Sequence, residues 1–277
     1  MAVQTFLDRR NFSCNCIDGK AGPRTKQAID AWQTENGMAP SGEITPELLE
    51  SVGETEKYFA VHTISAEEVS ALTDVPETWS ARAAATRLGF RTILETLAEK
   101  YHASEGALRT LNPDVTWPDP PEGTLVTVPN PLPATVGHAA RVVIRLGVKT
   151  VSLYDQDEHL IAVFPCSIAA KVEKRPVGDL KIVKAASDPE YLFDPALFAE
   201  DPEARAMTGK RMIAAGPNNP VGVAWVSLDR PGYGMHGTPH PEDIGKTESH
   251  GCFRLSNWNA RRLLNMVSVG TPVRVEP

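Results

Sequence analysis

The spacing of apolar residues changes once along the chain. In the N-terminal half, apolar residues such as Leu94, Leu97 and Tyr101 recur at helical intervals. Residues 131–138 are rich in proline and glycine, a composition typical of a linker between domains. After this linker, apolar and polar residues alternate in short runs. The pattern predicts helical N-terminal regions followed by a mostly-β domain.

A first helix is predicted around Ala28, Ile29 and Trp32, which share one helical face. It follows a glycine-containing turn and is expected to begin near Pro23 and Thr25, because proline is favoured in the first turn of a helix.

A second short helix follows the same sequence rules. Thr45 is the expected N-cap and Pro46 the first helical residue, with Leu48 and Leu49 facing inward. Farther along, residues 57–64 suggest a strand and residues 124–129 a closing strand. Two helices are expected between them, and the second ends before a proline.

The C-terminal half contains one clear helical pattern, from about Ser256 to Met266, with Ser256 or Asn257 as N-cap and Leu263 facing the core. The remainder predicts a sandwich or barrel of short strands. The expected strands cover residues 141–146, 150–155, 159–168, 178–185, 223–228 and 271–277.

Composition narrows the possible partners. The chain has 277 residues and a formal net charge of −7 without a long basic run, so no nucleic acid partner is expected. No stretch of about 18 apolar residues is present, so no transmembrane segment is expected. The N-terminus lacks the apolar core of a secretory signal, so no export signal is predicted in the chain as written.

The four cysteines are too few for a disulfide scaffold in a chain of this length. Cys14 and Cys16 are two residues apart, and in an extended segment that spacing is too wide for a normal disulfide between them, which leaves a distant partner or simple burial. Cys166 shares the apolar face of its strand and is expected to be buried.

Residues 236–255, HGTPHPEDIGKTESHGCFRL, concentrate three of the seven histidines and one cysteine. A catalytic cysteine needs a nearby base to form its thiolate, and His236 and His250 are both candidates for Cys252. His236 ends an apparent strand and would reach Cys252 if that strand lay beside the segment of the cysteine. Glycines beside the cysteine allow backbone N–H groups to point at an oxyanion, and Arg254 adds a fixed positive charge.

A zinc site is the alternative. His236, His240, His250 and Cys252 could supply four ligands to a tetrahedral ion. However, prolines flank His240 and disfavour the helix on which such histidine pairs usually lie, so His240 is expected to be incidental.

The pattern H-G-T-x-x-P-x-x-I-G-x-x-x-S-H-G-C-x-R-L resembles the signature of L,D-transpeptidases with a YkuD-type catalytic domain. The upstream segments GPNNPVGVAWVSL and VGDLKIV are similar to other parts of that domain, and the resemblance covers roughly residues 141–277. It implies a mostly-β sandwich with one late helix. It also implies neither a metal nor a cofactor.

The resemblance further implies a role for each matching residue. Cys252 would be the nucleophile, His236 its base, and the carbonyl of Gly237 the group that orients the imidazole. The remaining matches form two sets. The oxyanion hole and its loop would comprise Ser249, His250, Gly251 and Arg254, and weaker candidates for the substrate pocket are Tyr233, Trp225 and Asn219.

Residues 1–54 resemble a small helical peptidoglycan-binding module, through Asp18, Gly19, Gly22, Thr25 and the positions that follow. A generic three-helix cap is the alternative. Residues 55–130 resemble an α+β LysM-like carbohydrate-binding module, although about 25 residues separate its leading strand from its first helix, so a structural spacer stays open. The expected domains are therefore 1–54, 55–130, the linker 131–138, and a catalytic domain over 139–277.

Together these resemblances imply a peptidoglycan L,D-transpeptidase of the bacterial cell envelope, whose partners are stem peptides and glycan. Cys252 would attack the carbonyl of the third residue of a tetrapeptide stem, releasing D-alanine and leaving a thioester. An amine from a second stem or from a protein would then resolve it. Water as acceptor would make the protein an L,D-carboxypeptidase, and a catalytically inactive wall-binding protein is the other alternative. The sequence does not indicate an oligomeric state.

Overall fold

The computed structural model describes residues 1–132, 137–198, 200–246 and 251–277. The N-terminal region consists of three helices around one apolar core. These helices are α1 (Ala2–Asp8), α2 (Pro23–Glu35) and α3 (Pro46–Val52). Phe6, Ile29, Trp32, Leu48 and Val52 are buried between them. The helical fold predicted for this region is confirmed.

Helices α2 and α3 begin where the sequence rules predict, but one side chain of α3 does not face the predicted side. Pro23 is the first residue of α2, and the Thr45 side chain accepts a hydrogen bond from the Leu48 N–H, as expected of an N-cap. The prediction that Leu49 faces inward is wrong, because its side chain is 52% exposed while that of Leu48 is fully buried. Successive residues on a helix point about 100° apart, so a short helix with one packed side buries Leu48 and Val52 and leaves Leu49 in water.

The second region consists of two paired strands with two helices packed beside them. Strand β1 (Phe59–Thr63) lies antiparallel to β2 (Leu125–Pro129), and helices α6 (Ile93–Lys100) and α7 (Glu105–Leu111) pack beside them. The segment between β1 and α6 adds two short helices, α4 (Ala66–Ser70) and α5 (Trp79–Ala84).

The C-terminal region is built on one eight-stranded mixed sheet. Its strands are β3 (Arg141–Arg145), β4 (Thr150–Tyr154), β5 (Leu160–Pro165), β6 (Gly178–Ser187), β9 (Ala224–Leu228), β10 (Gly234–His236), β11 (Phe253–Arg254) and β12 (Pro272–Glu276). They lie in the order β11-β10-β9-β6-β12-β3-β4-β5. A separate two-stranded sheet joins β7 (Tyr191–Phe193) and β8 (Arg211–Ile213).

The sheet curls until its two edges meet. Ser167, just beyond β5, exchanges backbone hydrogen bonds of 2.9 and 3.0 Å with Arg254 of β11. The expected mostly-β domain is thus a single curled sheet rather than two stacked sheets. Helix α9 (Asn257–Met266) packs inside the curl and buries Leu263, so the predicted late helix is confirmed. Helix α8 (Pro202–Ala206), which was not predicted, lies between β7 and β8.

The three regions are joined by buried polar contacts. Asp8 of α1 is fully buried and binds Arg262 of α9 at 2.8 and 3.0 Å. Asp8 also bonds His102 of the second region at 2.9 Å. Part of the predicted linker, residues 133–136, lies outside the described residues. Despite a proline-rich connection, the N-terminal regions therefore pack directly on the C-terminal region.

Cys14, Cys16 and Cys166 are buried free thiols. Of the two options left for Cys14 and Cys16, the structure shows burial. Burial raises the pKa of Cys166 to about 12, which keeps this thiol protonated and unreactive. None of the helices in the described parts of the chain is long and apolar enough to span a membrane.

Candidate active site

The candidate site lies where two short parallel strands meet. Strand β10 ends at His236 and pairs with β11, so that His236 lies opposite Arg254. Cys252 immediately precedes β11. The Leu255 N–H donates to the His236 carbonyl at 2.8 Å and extends the pairing. The strand of His236 and the segment of Cys252 therefore lie side by side, the arrangement required for the two side chains to act together.

His236 is held in one orientation. Its Nδ1 lies 2.7 Å from the Gly237 carbonyl oxygen, and its ring stacks on Trp225 with centroids 5.4 Å apart. Because a carbonyl can only accept, Nδ1 carries the proton and Nε2 of the neutral ring has a free lone pair. Burial, with a smaller contribution from the charge of Arg254, lowers the pKa of His236 to about 4, although the Gly237 hydrogen bond opposes the shift. At neutral pH the ring is therefore neutral and can accept a proton at Nε2.

Cys252 is half-buried, and its Sγ lies 3.4 Å from the Gly232 carbonyl. Burial raises the pKa of this thiol to about 11, while a hydrogen bond from the Gly234 backbone and the charge of Arg254 pull it down. The resting pair is thus a thiol and a neutral imidazole. Any thiolate has to form as the proton leaves for a base during attack, since the free thiolate is a minor species at neutral pH.

Gly222 and Gly237 have no Cβ, which allows the Gly237 carbonyl to lie where it orients the His236 ring. A Cβ on Gly237 would lie 2.2 Å from the Asn257 side-chain oxygen, and one on Gly222 would lie 1.9 Å from the same atom. Gly222 also has φ +62°, a conformation that L side chains rarely adopt. Asn257 fills the space between them and accepts a 3.2 Å hydrogen bond from the Val223 N–H. Sequence reasoning treated Asn257 as a possible N-cap only.

The residues expected around the oxyanion are described in part. Ser249 and His250 lie outside the described residues. Gly251 is half-buried, and a Cβ placed there would be 3.7 Å from the Tyr233 ring. Arg254 is half-buried, and its backbone closes the sheet through Ser167. Tyr233 therefore lies against the segment that carries Cys252.

The two other weak candidates for the pocket differ from each other. Trp225 is half-buried and covers one face of the His236 ring. Asn219 is fully buried, donates to the Ala214 carbonyl at 2.8 Å and accepts from the Val221 N–H at 2.9 Å. Asn219 consequently stabilises a turn and does not form a pocket wall.

Sequence reasoning did not single out Tyr191 on β7, which lies in the long excursion between β6 and β9. Burial raises the pKa of Tyr191, and a negative charge on Cys252 would raise that pKa further.

The histidines and Cys252 do not cluster as metal ligands in the described part of the chain. Over those residues, the one group of three potential ligands close together is Asp155, Asp157 and His159, in an exposed turn away from the site. His240 is exposed.

Comparisons with known proteins agree on the type of domain. Residues 139–275 match the YkuD family, described as the L,D-transpeptidase catalytic domain, and residues 1–52 match the family described as "Putative peptidoglycan binding domain". The chain is 26% identical over 185 residues to "Putative L,D-transpeptidase YkuD" of Bacillus licheniformis, covering 66% of this chain and 93% of the relative. It is 28% identical to "Probable L,D-transpeptidase ErfK/SrfK" of Escherichia coli, over 66% of this chain and 58% of that relative.

Solved structures similar to this chain include L,D-transpeptidase 3 from Mycobacterium tuberculosis, with a TM-score of 0.39 and 17% identity, covering 56% of this chain and 76% of that one. An L,D-transpeptidase from Mycobacterium smegmatis has a TM-score of 0.38 and 22% identity, covering 55% of this chain and 66% of that one.

Proposed function

Because residues 139–275 match the YkuD family and the protein is a peptidoglycan L,D-transpeptidase, we propose that Cys252 and His236 carry out its acyl transfer. The observation that carries this assignment is the parallel pairing of β10 with β11. It brings the Cys252 segment beside a histidine whose Nδ1–H is held by a neutral carbonyl.

In the first step, Cys252 Sγ attacks the carbonyl carbon of the third stem residue while His236 Nε2 takes the thiol proton. The carbonyl π electrons move to oxygen, and the backbone N–H groups of Gly251 and Cys252, together with His250, would stabilise that oxyanion. The C–N bond then breaks, the imidazolium returns its proton to the leaving nitrogen, and D-alanine departs. A thioester to Cys252 remains.

In the second step, an amine attacks the thioester carbon and His236 removes its proton. The C–S bond breaks and Cys252 is regenerated. An amine from a second stem gives a 3→3 cross-link, and an amine from an anchored protein gives an attachment. If water attacks instead, the product is a shortened stem and the enzyme acts as a carboxypeptidase.

The N-terminal regions also favour peptidoglycan as the substrate. The peptidoglycan-binding domain would hold the enzyme on the wall and raise the local concentration of stems. We propose that residues 55–130 add a LysM-like glycan contact, since β1, α6, α7 and β2 occur in the expected order, and that the domain boundaries are those predicted from the sequence. A protein acting on peptidoglycan belongs to the cell envelope.

Two incubations test the proposal. With a carbapenem, mass spectrometry should find one adduct on the wild type and none on Cys252→Ala; a folded wild type without an adduct would contradict the assignment of the nucleophile. With a defined tetrapeptide stem, D-alanine release with a dimeric product indicates cross-linking, whereas release with only a tripeptide indicates hydrolysis. Release of D-alanine by Cys252→Ala would also refute the mechanism.

A further inference from the structure

Residues 74–89, here called the bridging loop, lie in the second region but pack on the catalytic region. The loop is closed at its base by a 2.8 Å hydrogen bond from the Thr73 N–H to the Phe90 carbonyl. Both matched families, over residues 1–52 and 139–275, exclude it. Val75 and Leu88 of the loop are buried in an apolar cluster whose other buried members are Phe193, Ala204 and Ile213. These three belong to residues 188–198 and 200–213, here called the arm.

The loop contacts the arm mainly through Trp79. The indole stacks on Phe193 at 4.0 Å with an interplanar angle of 12°, and its Nε1 donates to Asp201 at 2.7 Å. The backbone N–H groups of Trp79 and Ser80, at the start of α5, each donate at 2.9 Å to the Glu203 carboxylate. These contacts combine apolar packing with charge-assisted hydrogen bonds, so they fix both the position and the orientation of the arm.

The loop also binds the turn that leads from the arm to β9. The Leu88 N–H donates to the Ala215 carbonyl at 3.0 Å, and the Asn218 N–H donates back to the Leu88 carbonyl at 3.0 Å. The Asn218 side chain donates to the Gly89 carbonyl at 2.7 Å. Gly216 permits this approach, because a Cβ there would lie 2.1 Å from the Leu88 oxygen.

This turn is connected to His236, the proposed catalytic base, through Asn257. Asn257 donates to the Pro217 carbonyl at 3.1 Å and accepts from the Val223 N–H, and its oxygen packs directly against Gly237. The carbonyl of Gly237 orients the His236 ring. At the other end, the arm begins at Asp188, whose N–H donates to the Val223 carbonyl at 2.9 Å. Val223 is two residues from Trp225, the ring that stacks on His236.

We propose that the bridging loop is a positioning element of the transpeptidase site, which holds the arm in place for the stem peptide and supports the turn behind His236. The inference rests on the proposed function of that site. The loop acts through the arm and the turn rather than on reacting atoms, so Trp79 is a positioning residue. Displacing a substrate-facing segment by about 1 Å can cost as much as 100-fold in rate.

Trp79→Ala is the decisive variant. We expect KM for a tetrapeptide stem to rise about tenfold while kcat falls less, because the arm is released and the pair of Cys252 and His236 is left intact. Trp79→Phe keeps an aromatic face on Phe193 and should restore most of the wild-type KM. Hydrogen exchange should show faster exchange of the β7–β8 amides in Trp79→Ala, with unchanged protection of β3 and β4.

Trp117→Ala is the matched control. Trp117 packs on the other apolar core of the second region, so its removal weakens that region without touching the arm. It should leave KM and the protection of the arm at wild-type values. The inference fails if folded Trp79→Ala keeps the wild-type KM and arm protection, or if Trp117→Ala raises KM equally. A wild type that is never acylated contradicts the proposed function instead, and arm exchange still tests the loop.

Discussion

Two histidines in this molecule, the buried His236 and the largely buried His102, have similar contacts. His236 lies on the catalytic sheet, and His102 lies where the N-terminal regions meet α9. Each Nδ1 contacts an oxygen, at 2.7 Å for His236 and 2.9 Å for His102. Each ring stacks on a tryptophan, with centroids 5.4 and 5.2 Å apart respectively. Burial lowers the pKa of both.

The two histidines differ in the group that contacts Nδ1. His236 faces a neutral carbonyl, which fixes the ring and leaves Nε2 available to a substrate. His102 faces the carboxylate of Asp8, which Arg262 also binds in a buried network joining three regions. Arg262 and His102 hold the pKa of Asp8 well below its usual range, against the effect of burial. A histidine oriented by a carbonyl is suited to proton transfer, whereas one held by a shared carboxylate is suited to structure.

The largest expected effect separates these two roles. His236→Asn can still donate a hydrogen bond toward the Gly237 carbonyl but has no base, so acylation by a stem or a carbapenem should fall by about 10²–10⁴-fold. Stopped-flow mass analysis would measure the rate, and urea denaturation should show stability within about 1 kcal/mol of wild type. Near-normal acylation by this variant would transfer the role of base to another residue.

Asp8→Ala should have the opposite profile. It leaves the Arg262 guanidinium and His102 without their buried partner, which typically costs about 3–5 kcal/mol of unfolding free energy. The folded enzyme should be acylated within about threefold of the wild-type rate, because the site itself is unchanged.

The exposed side chain of His159, which lies 3.5 Å from the Asp155 carboxylate, supplies a matched control. His159→Ala should cost less than about 1 kcal/mol, since surface ion pairs contribute little. Equal losses for Asp8→Ala and His159→Ala would show that the buried junction does not hold the regions together.

Sequence reasoning succeeded where local rules govern the structure. The caps at Pro23 and Thr45, the alternating strands and helix α9 all follow from short patterns. Leu49 and Asn219 were misjudged because burial depends on which side of an element meets a neighbour. The contacts of the bridging loop could not have been found in this way, since its partners in the arm lie more than 100 residues away in the chain.

The pH dependence of stability should also show whether the His236 ring is held neutral in the folded state. The folded pKa of His236 is about 4 against 6.5 for an unperturbed histidine, so below pH 6.5 the unfolded chain binds a proton that the folded state refuses. Stability from this group is therefore complete above pH 6.5 and declines by roughly 3 kcal/mol down to pH 4. His102 contributes in the same direction, whereas the contribution of Asp8 is lost only below about pH 4.

Urea denaturation from pH 4 to 7 would measure this dependence. His236→Asn should flatten the slope by up to one proton over that range, and the wild-type acylation rate should fall as the pH drops through 4, because imidazolium cannot accept the thiol proton. An unchanged slope in His236→Asn would mean that the ring is not held neutral in the folded state.

The smallest effects concern the two stacked tryptophans. Trp225→Phe keeps a ring over His236 but loses the 2.6 Å hydrogen bond to Ser227, so we expect acylation to fall about two- to fivefold and stability by about 1 kcal/mol. Trp258 is 5% exposed, and Trp258→Phe leaves a cavity beside His102 that should cost about 1–2 kcal/mol without changing acylation. Stem turnover and urea denaturation of both variants check the pair. A rate loss in Trp258→Phe as large as that in Trp225→Phe would show that the junction and the catalytic site are coupled, and would end the division of roles between the two histidines.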